Sequence, residues 1–196
     1  MSAAAQATVP RRGRKAAASR EDVVEAATHN YLRGQRVDVQ GIAADLGLGR
    51  STVYRWFGSR EELIGEVLVL VTRRLFESVR AEARGSGADN LLDTFDRFNR
   101  ALVAAPALRT FVDRERGAAV RIITSGTGTV QRSTVEMITA VIEEEVSAGR
   151  YEPPVDPATL GYAIVRLAEA FIFNESATGL SDSVDRLREV EAALLR

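Results

Sequence analysis

The chain has 196 residues, 45% hydrophobic and 27% charged, with 26 Lys/Arg set against 27 Asp/Glu for a net charge of −1. This is an ordinary soluble globular composition, long enough for one sizeable core or two small ones. The absence of cysteine excludes a disulfide framework and a thiolate metal site, and with no apolar run of membrane-span length and no apolar secretion signal, a cytoplasmic protein without a membrane partner is expected.

The charge is unevenly divided. Residues 1–60 hold ten Lys/Arg and five Asp/Glu, a net of +5, and the remainder holds sixteen and twenty-two, a net of −6. A basic N-terminal part would be drawn to phosphate by counterion release, and an acidic remainder would stay off the duplex. Residues 1–18, rich in Ala and Ser and carrying Arg11, Arg12, Arg14 and Lys15, read as a disordered basic arm. Two readings stay open for it: Arg12 and Arg14 enter a minor groove or lie along phosphates, or the arm is a solvated tail.

A first helix is expected from Ser19, a capping residue followed by Glu21 and Asp22 in the first turn. It would bury Val23, Val24, Ala27 and either Tyr31 or Leu32. His29 is the only histidine and has no ligand spacing around it, so no metal is expected there. From Asp38 the run DVQGIAADLGLGRSTVYRWFGSREE reads as a helix-turn-helix. Asp38 can cap the first of the two helices. Val39, Ile42, Ala43 and Leu46 form its buried face, and Gly47 supplies the left-handed corner that ends it. The second helix starts near Gly49 or Arg50 and buries Val53, Trp56 and Phe57, leaving Arg50, Ser51, Thr52, Tyr54 and Arg55 on other faces. The competing reading of the spacing is a plain helical hairpin.

The run Ile42–Ala43–Ala44, Gly47, Ser51 to Phe57, and Ser59 to Leu63 resembles the N-terminal domain of TetR-family transcriptional regulators. The chain departs from that pattern at Gly49, where the family commonly has serine, and at Gly58, where it often has proline. The resemblance implies a helix-turn-helix domain at 19–65 and a ligand-binding and dimerisation domain at 66–196. Base reading would fall to Arg50, Ser51 and Arg55, and phosphate contacts to Thr52, Tyr54, Arg60 and the helix starts.

Beyond it, Ser59 caps a long helix with apolar positions at Leu63, Ile64, Val67, Leu68, Val71, Leu75, Phe76 and Val79, a rod that joins the two halves. Gly85 to Gly87 break the chain, and a helix with Leu91, Leu92, Phe95, Phe98 and Leu102 follows. Pro106 opens a short helix, a separate segment runs from Ala118 to Ile123, and a longer helix from Thr129 to Ala148. The helix from Asp156 to Thr178 is apolar on most of its circumference, and the last one, Ser183 to Leu195, offers Val184, Leu187, Val190 and Leu194 as a seam. With no convincing strand, an all-α fold is expected. Two such helices from each of two subunits would form a four-helix dimer interface with Tyr162, Val165, Leu187, Val190 and Leu194, presenting two recognition helices to a palindrome.

In the C-terminal half, Phe98, Phe111, Met137 and Phe173 are candidate walls of a small-molecule pocket, although aromatics and Met at helical spacing also suit plain core. Arg166 and Glu169, charged residues in the most apolar helix, either pair with each other or orient a ligand. The stretches around Arg121 to Thr124, Val130 to Ile138 and Tyr162 to Phe173 resemble QsdR-type regulators of the same family, which implies a lactone or acyl-lactone effector. The expected function is a ligand-responsive homodimeric repressor without a cofactor, whose partners are a double-stranded operator and a small effector. Two alternatives stand beside it. One is an architectural DNA-binding protein without an effector. The other is a helical-bundle enzyme using Glu143, Glu144, Glu145 or Glu169, against which stand the missing metal pair and phosphate loop; Glu143 to Glu145, being consecutive, read as solvated surface.

Overall fold

The computed structural model describes residues 18–125, 128–173 and 180–196, which form nine helices and no strand. These are α1 (Arg20–Leu32), α2 (Val39–Asp45), α3 (Arg50–Phe57), α4 (Arg60–Ala81), α5 (Ala88–Ala104), α6 (Pro106–Thr124), α7 (Thr129–Ser147), α8 (Pro157–Phe173) and α9 (Leu180–Leu194). The basic arm and the stretch between Phe173 and Thr178 lie outside the described residues, apart from residue 18.

Local chemistry accounts for three of the first four helix starts. The Ser19 hydroxyl accepts from the Asp22 amide while the Asp22 carboxylate accepts from the Ser19 amide, a reciprocal capping box at α1. Asp38 accepts from the amides of Gln40 and Gly41, and Ser59 accepts from the amide of Glu62. At the end of α2, Gly47 takes φ +66°, the left-handed conformation that the sharp corner needs. α3 alone in this region starts without a side-chain cap, at Gly49.

Two clusters of buried side chains make the core. The first joins Val23, Ala27 and Tyr31 of α1, Val39, Ile42 and Ala43 of α2, and Val53 and Phe57 of α3 to Leu63, Ile64, Val67 and Leu68 of α4. It also takes in Leu108, Phe111, Ile122 and Ile123 of α6 and Val130 of α7. The second joins Phe76 to Leu91, Phe95 and Phe98 of α5, Ile138, Val141 and Ile142 of α7, and Leu160, Ile164 and Val165 of α8. The rod α4 belongs to both, so the helix-turn-helix shares its core with the C-terminal helices.

Three elements differ from expectation. The segments on either side of Glu115 form one helix, α6, kinked where Glu115 departs from helical geometry (φ −133°, ψ 42°). Trp56 is only half-buried, because Val53 and Phe57 take the inward positions of α3. In α9 the apolar seam packs inside its own chain, on α5 and α8. Val165 and Leu187, expected between two copies, are 4% and 0% exposed within a single chain. Val190 and Leu194 are half-buried, and Tyr162, at 53% exposure, stands free on the surface. A periodic stripe shows that a helix has an apolar partner without showing whose helix it is.

α7 and α8 approach closely at Gly161. A Cβ there would lie 2.4 Å from Thr139 Oγ1 and 3.2 Å from the Thr139 amide nitrogen. Gly161→Ala should therefore destabilise the protein by about 1–3 kcal/mol through overpacking. Urea unfolding measures this, and an unchanged midpoint would show that the two helices can part without loss.

Candidate nucleic-acid interface and effector cavity

α2 and α3 pack on α1 and α4 through Val39, Ile42, Ala43, Val53 and Phe57, which turns the rest of α3 outward. Arg50, Ser51 and Arg55 are exposed, and Thr52 and Tyr54 half-exposed. The Arg50 guanidinium lies 5.1 Å from the Tyr54 ring centroid, with Nη2 3.4 Å from the phenol oxygen. This cation–π contact holds an otherwise mobile side chain along the helix surface. On the inner side, Arg20 of α1 covers the Phe57 ring at 4.5 Å and hydrogen-bonds Glu66.

Arg60, expected to grip phosphate, has a different engagement in the structure. Its Nε donates to the carbonyl of Val37 at 2.8 Å, and its two Nη atoms donate to the two carboxylate oxygens of Glu115 at 2.7 Å each. Both side chains are 21% exposed. The paired guanidinium holds the Glu115 carboxyl below the ordinary carboxylate range, with Arg36 at 3.9 Å adding to the effect. Further ties run the same way: Arg114 donates to the Gly34 carbonyl (2.6 Å), Arg121 pairs with Glu61 (2.7 Å), and Phe111 meets Tyr31 edge to face at 6.0 Å. α6 is thereby fastened to the α1–α2 connection and to the start of α4.

The other side of α6 faces a cavity. It has a volume of ≈ 70 Å³ and is walled by Leu68 and Thr72 of α4, Phe95, Phe98 and Leu102 of α5, Leu108 and Ile123 of α6, Val130, Thr134 and Ile138 of α7, and Ile164 to Phe173 on one face of α8. Of the expected ligand residues, Phe98, Glu169 and Phe173 line it. Phe111 belongs to the first core cluster instead, Met137 lines a surface hollow between α4 and α7, and exposed Arg166 stands outside the lining. Arg166 pairs with Glu169 at 2.7 Å, the i, i+3 partnership that the sequence allowed. Gln131 donates to both oxygens of Glu169 at 3.0 Å. Burial still pushes the Glu169 carboxyl up from its ordinary range, against the pull of Gln131 and Arg166.

Two polar lining residues, Asn99 of α5 and Glu191 of α9, carry no isolated sequence signal. Both sit at apolar-phase positions of amphipathic helices, which is the one clue the sequence offered. Glu143 and Glu144 are exposed, but Glu145 is 7% exposed, accepting from Nε and Nη2 of Arg150 and from the amide of Gly87. It is a structural tie between two loops rather than solvated surface. His29 is exposed, and no described group of His, Asp and Glu has the arrangement of a metal site. No described helix is long and apolar enough to cross a membrane.

An outward-facing second helix of a helix-turn-helix, on a rod that also walls an internal cavity, defines a DNA-binding regulator of the helical two-domain type. Residues 86–196 match the family described as tetracyclin repressor-like, C-terminal domain, and the chain belongs to the TetR family of transcriptional regulators. Among solved structures, the R. erythropolis transcriptional repressor QsdR is similar, with 27% identity over 90% of this chain and 93% of that one and a TM-score of 0.84. The repressor AlkX from Dietzia sp. strain DQ12-45-1b, implicated in biodegradation of n-alkanes, shares the fold at 22% identity, covering 91% and 95% of the two chains with a TM-score of 0.62. No curated protein sequence gives a match.

Proposed function

We propose that the protein is a ligand-responsive repressor that binds a palindromic operator as a homodimer and is released by a small apolar or lactone-like effector. The observation that carries this is the size and placement of the cavity. At ≈ 70 Å³ it is far below the about 300–1,000 Å³ of pockets that hold drug-sized ligands. An effector therefore enters only by moving walls, and two of those walls, α4 and α6, are fixed to the helix-turn-helix. The ligand selects the arrangement with the wider cavity, and its differential affinity for that arrangement sets how far release proceeds. In this reading Arg50, Ser51 and Arg55 read base edges, Thr52 and Tyr54 touch phosphate, and the acidic C-terminal half stays away from the duplex. Arg12 and Arg14 of the arm add phosphate or minor-groove contacts. Tyr162, Val190 and Leu194 remain available to a second copy.

Selection of sites from random duplex DNA with the purified protein, then titration of the best site at two salt concentrations, tests the reading. A palindromic site bound by two chains is the expected result, and binding indifferent to sequence would remove the operator. Arg50→Ala should lose about 1–3 kcal/mol of discrimination at one base position. A loss spread evenly over all sequences would reassign Arg50 to phosphate.

A further inference from the structure

Glu191 is fully buried on α9 and lines the cavity. Asn99 Nδ2 donates to its Oε1 at 3.0 Å, and its Oε2, buried as well, has no hydrogen-bond partner among the described residues. An unpartnered polar atom in an apolar wall costs free energy unless something arrives to meet it.

The surroundings decide which protonation state meets the ligand. From α5, Asp96 presents a like charge, and Arg100 is engaged with Asp96 and Asp185. Arg188, one turn back on α9, lies 3.6 Å from Asp96 and pulls on Glu191 only from a distance. From α8, Arg166 is paired with Glu169. α4 and α7 contribute Thr72 and Thr134 and no charge, and α6 only hydrocarbon. Among the described residues no cation is paired with Glu191, so burial favours its neutral acid and pushes the carboxyl up to about 7. Because Oε1 already accepts from Asn99, the acid proton resides on Oε2.

The geometry points to Glu191 as the polar anchor of the effector: its Oε2–H donates to an uncharged acceptor, the carbonyl oxygen of a ketone, ester or amide, while the ligand's hydrocarbon fills the apolar remainder of the cavity. This rests on the effector reading above. An anionic head is disfavoured because its charge would be buried in an apolar cavity where Arg166 is already paired with Glu169, and a cationic head would require the buried acid to ionise.

Three probes of similar length, 2-nonanone, octylamine and octanoate, are titrated calorimetrically into the full-length protein at pH 6 and pH 8. 2-Nonanone should bind best, about tenfold tighter at pH 6 than at pH 8, following the fraction of protein with the acid protonated. Glu191→Gln keeps a donor where the acid proton stood and should bind 2-nonanone equally at both pH values. Glu191→Leu should weaken it about fivefold to tenfold relative to the wild type at pH 6. Tightest binding by octylamine, or affinity that rises with pH, would overturn the assignment by showing that Glu191 acts as an anion. Equal affinity of wild type and both variants would also overturn it while leaving the cavity as the binding site. If none of the three bound the wild-type protein, the effector cavity itself would fall, and the anchor with it.

Discussion

Arg60→Met should destabilise the protein by about 1–3 kcal/mol and make the operator complex harder to release with effector. The first effect follows from what the substitution strands. The Glu115 carboxylate loses two charge-assisted hydrogen bonds and the Val37 carbonyl loses its donor. Breaking a fully buried pair costs about 3–5 kcal/mol, and at 21% exposure, with Arg36 3.9 Å away to compensate, the value must be smaller. The double variant Arg60→Met, Glu115→Met should recover part of the loss, since two apolar groups leave no unpaired charge. The second effect follows from position. α6 walls the cavity through Leu108 and Ile123 and reaches the start of α4 through Glu115, so cutting the tie lets the cavity widen without moving α3. Operator titration against salt separates this from the phosphate role expected of Arg60. A phosphate contact would reduce the salt slope by about one unit in Arg60→Met and leave Glu115→Met normal. An internal tie would leave the slope unchanged, and the two single variants would share the same blunted release.

Glu191→Gln should stabilise the protein at neutral and higher pH, by an amount that grows with pH. The folded-state acid titrates at about 7, against an ordinary value of 4.5. Between those values the unfolded chain has released the proton and the folded chain retains it, so this group lowers stability as pH rises from about 4.5 to 7. Below the window the two states hold equal protons and the contribution vanishes. Above it the cost levels off on the order of 3 kcal/mol. Glu115 and Glu145, held below their ordinary range by Arg60 and Arg150, act in the opposite sense, contributing stability that is lost as pH falls. They are common to both proteins and cancel in the difference. Urea unfolding at pH 4, 6 and 8 should show wild type and variant converging at the lowest pH. A difference independent of pH would mean that Glu191 carries no buried proton.

What was legible in the sequence is what neighbouring residues decide among themselves. Ser19, Asp38 and Ser59 announce helix starts because a cap acts within one turn, and Gly47 announces the corner because no other residue takes its conformation without strain. The kink at Glu115 was not legible, since the arginine that holds the carboxylate is 55 positions away. Nor were Asn99 and Glu191, separated by 92 positions, which look like minor interruptions of two apolar stripes until α5 and α9 are laid together. Val165 and Leu187 were placed on the wrong surface for a related reason. Amphipathic period gives the direction of a helix face but not the identity of what covers it. Glu145 was misread because adjacency in sequence says nothing of the Arg150 and Gly87 groups that fold back over it.

The shared first core also bears on how the molecule can be taken apart. Val67, Leu68, Phe111, Ile123 and Val130 complete the hydrophobic shell begun by Val23, Ala27, Val53 and Phe57. A fragment ending near residue 65 would leave that shell open on one side, so the reader is not a portable module. In building a hybrid sensor from this protein, a cut after α6 is no cleaner, because Val130 of α7 belongs to the same shell and α4 and α5 pack on α7 and α8; a new specificity has to be written into the cavity-lining side chains of the intact chain.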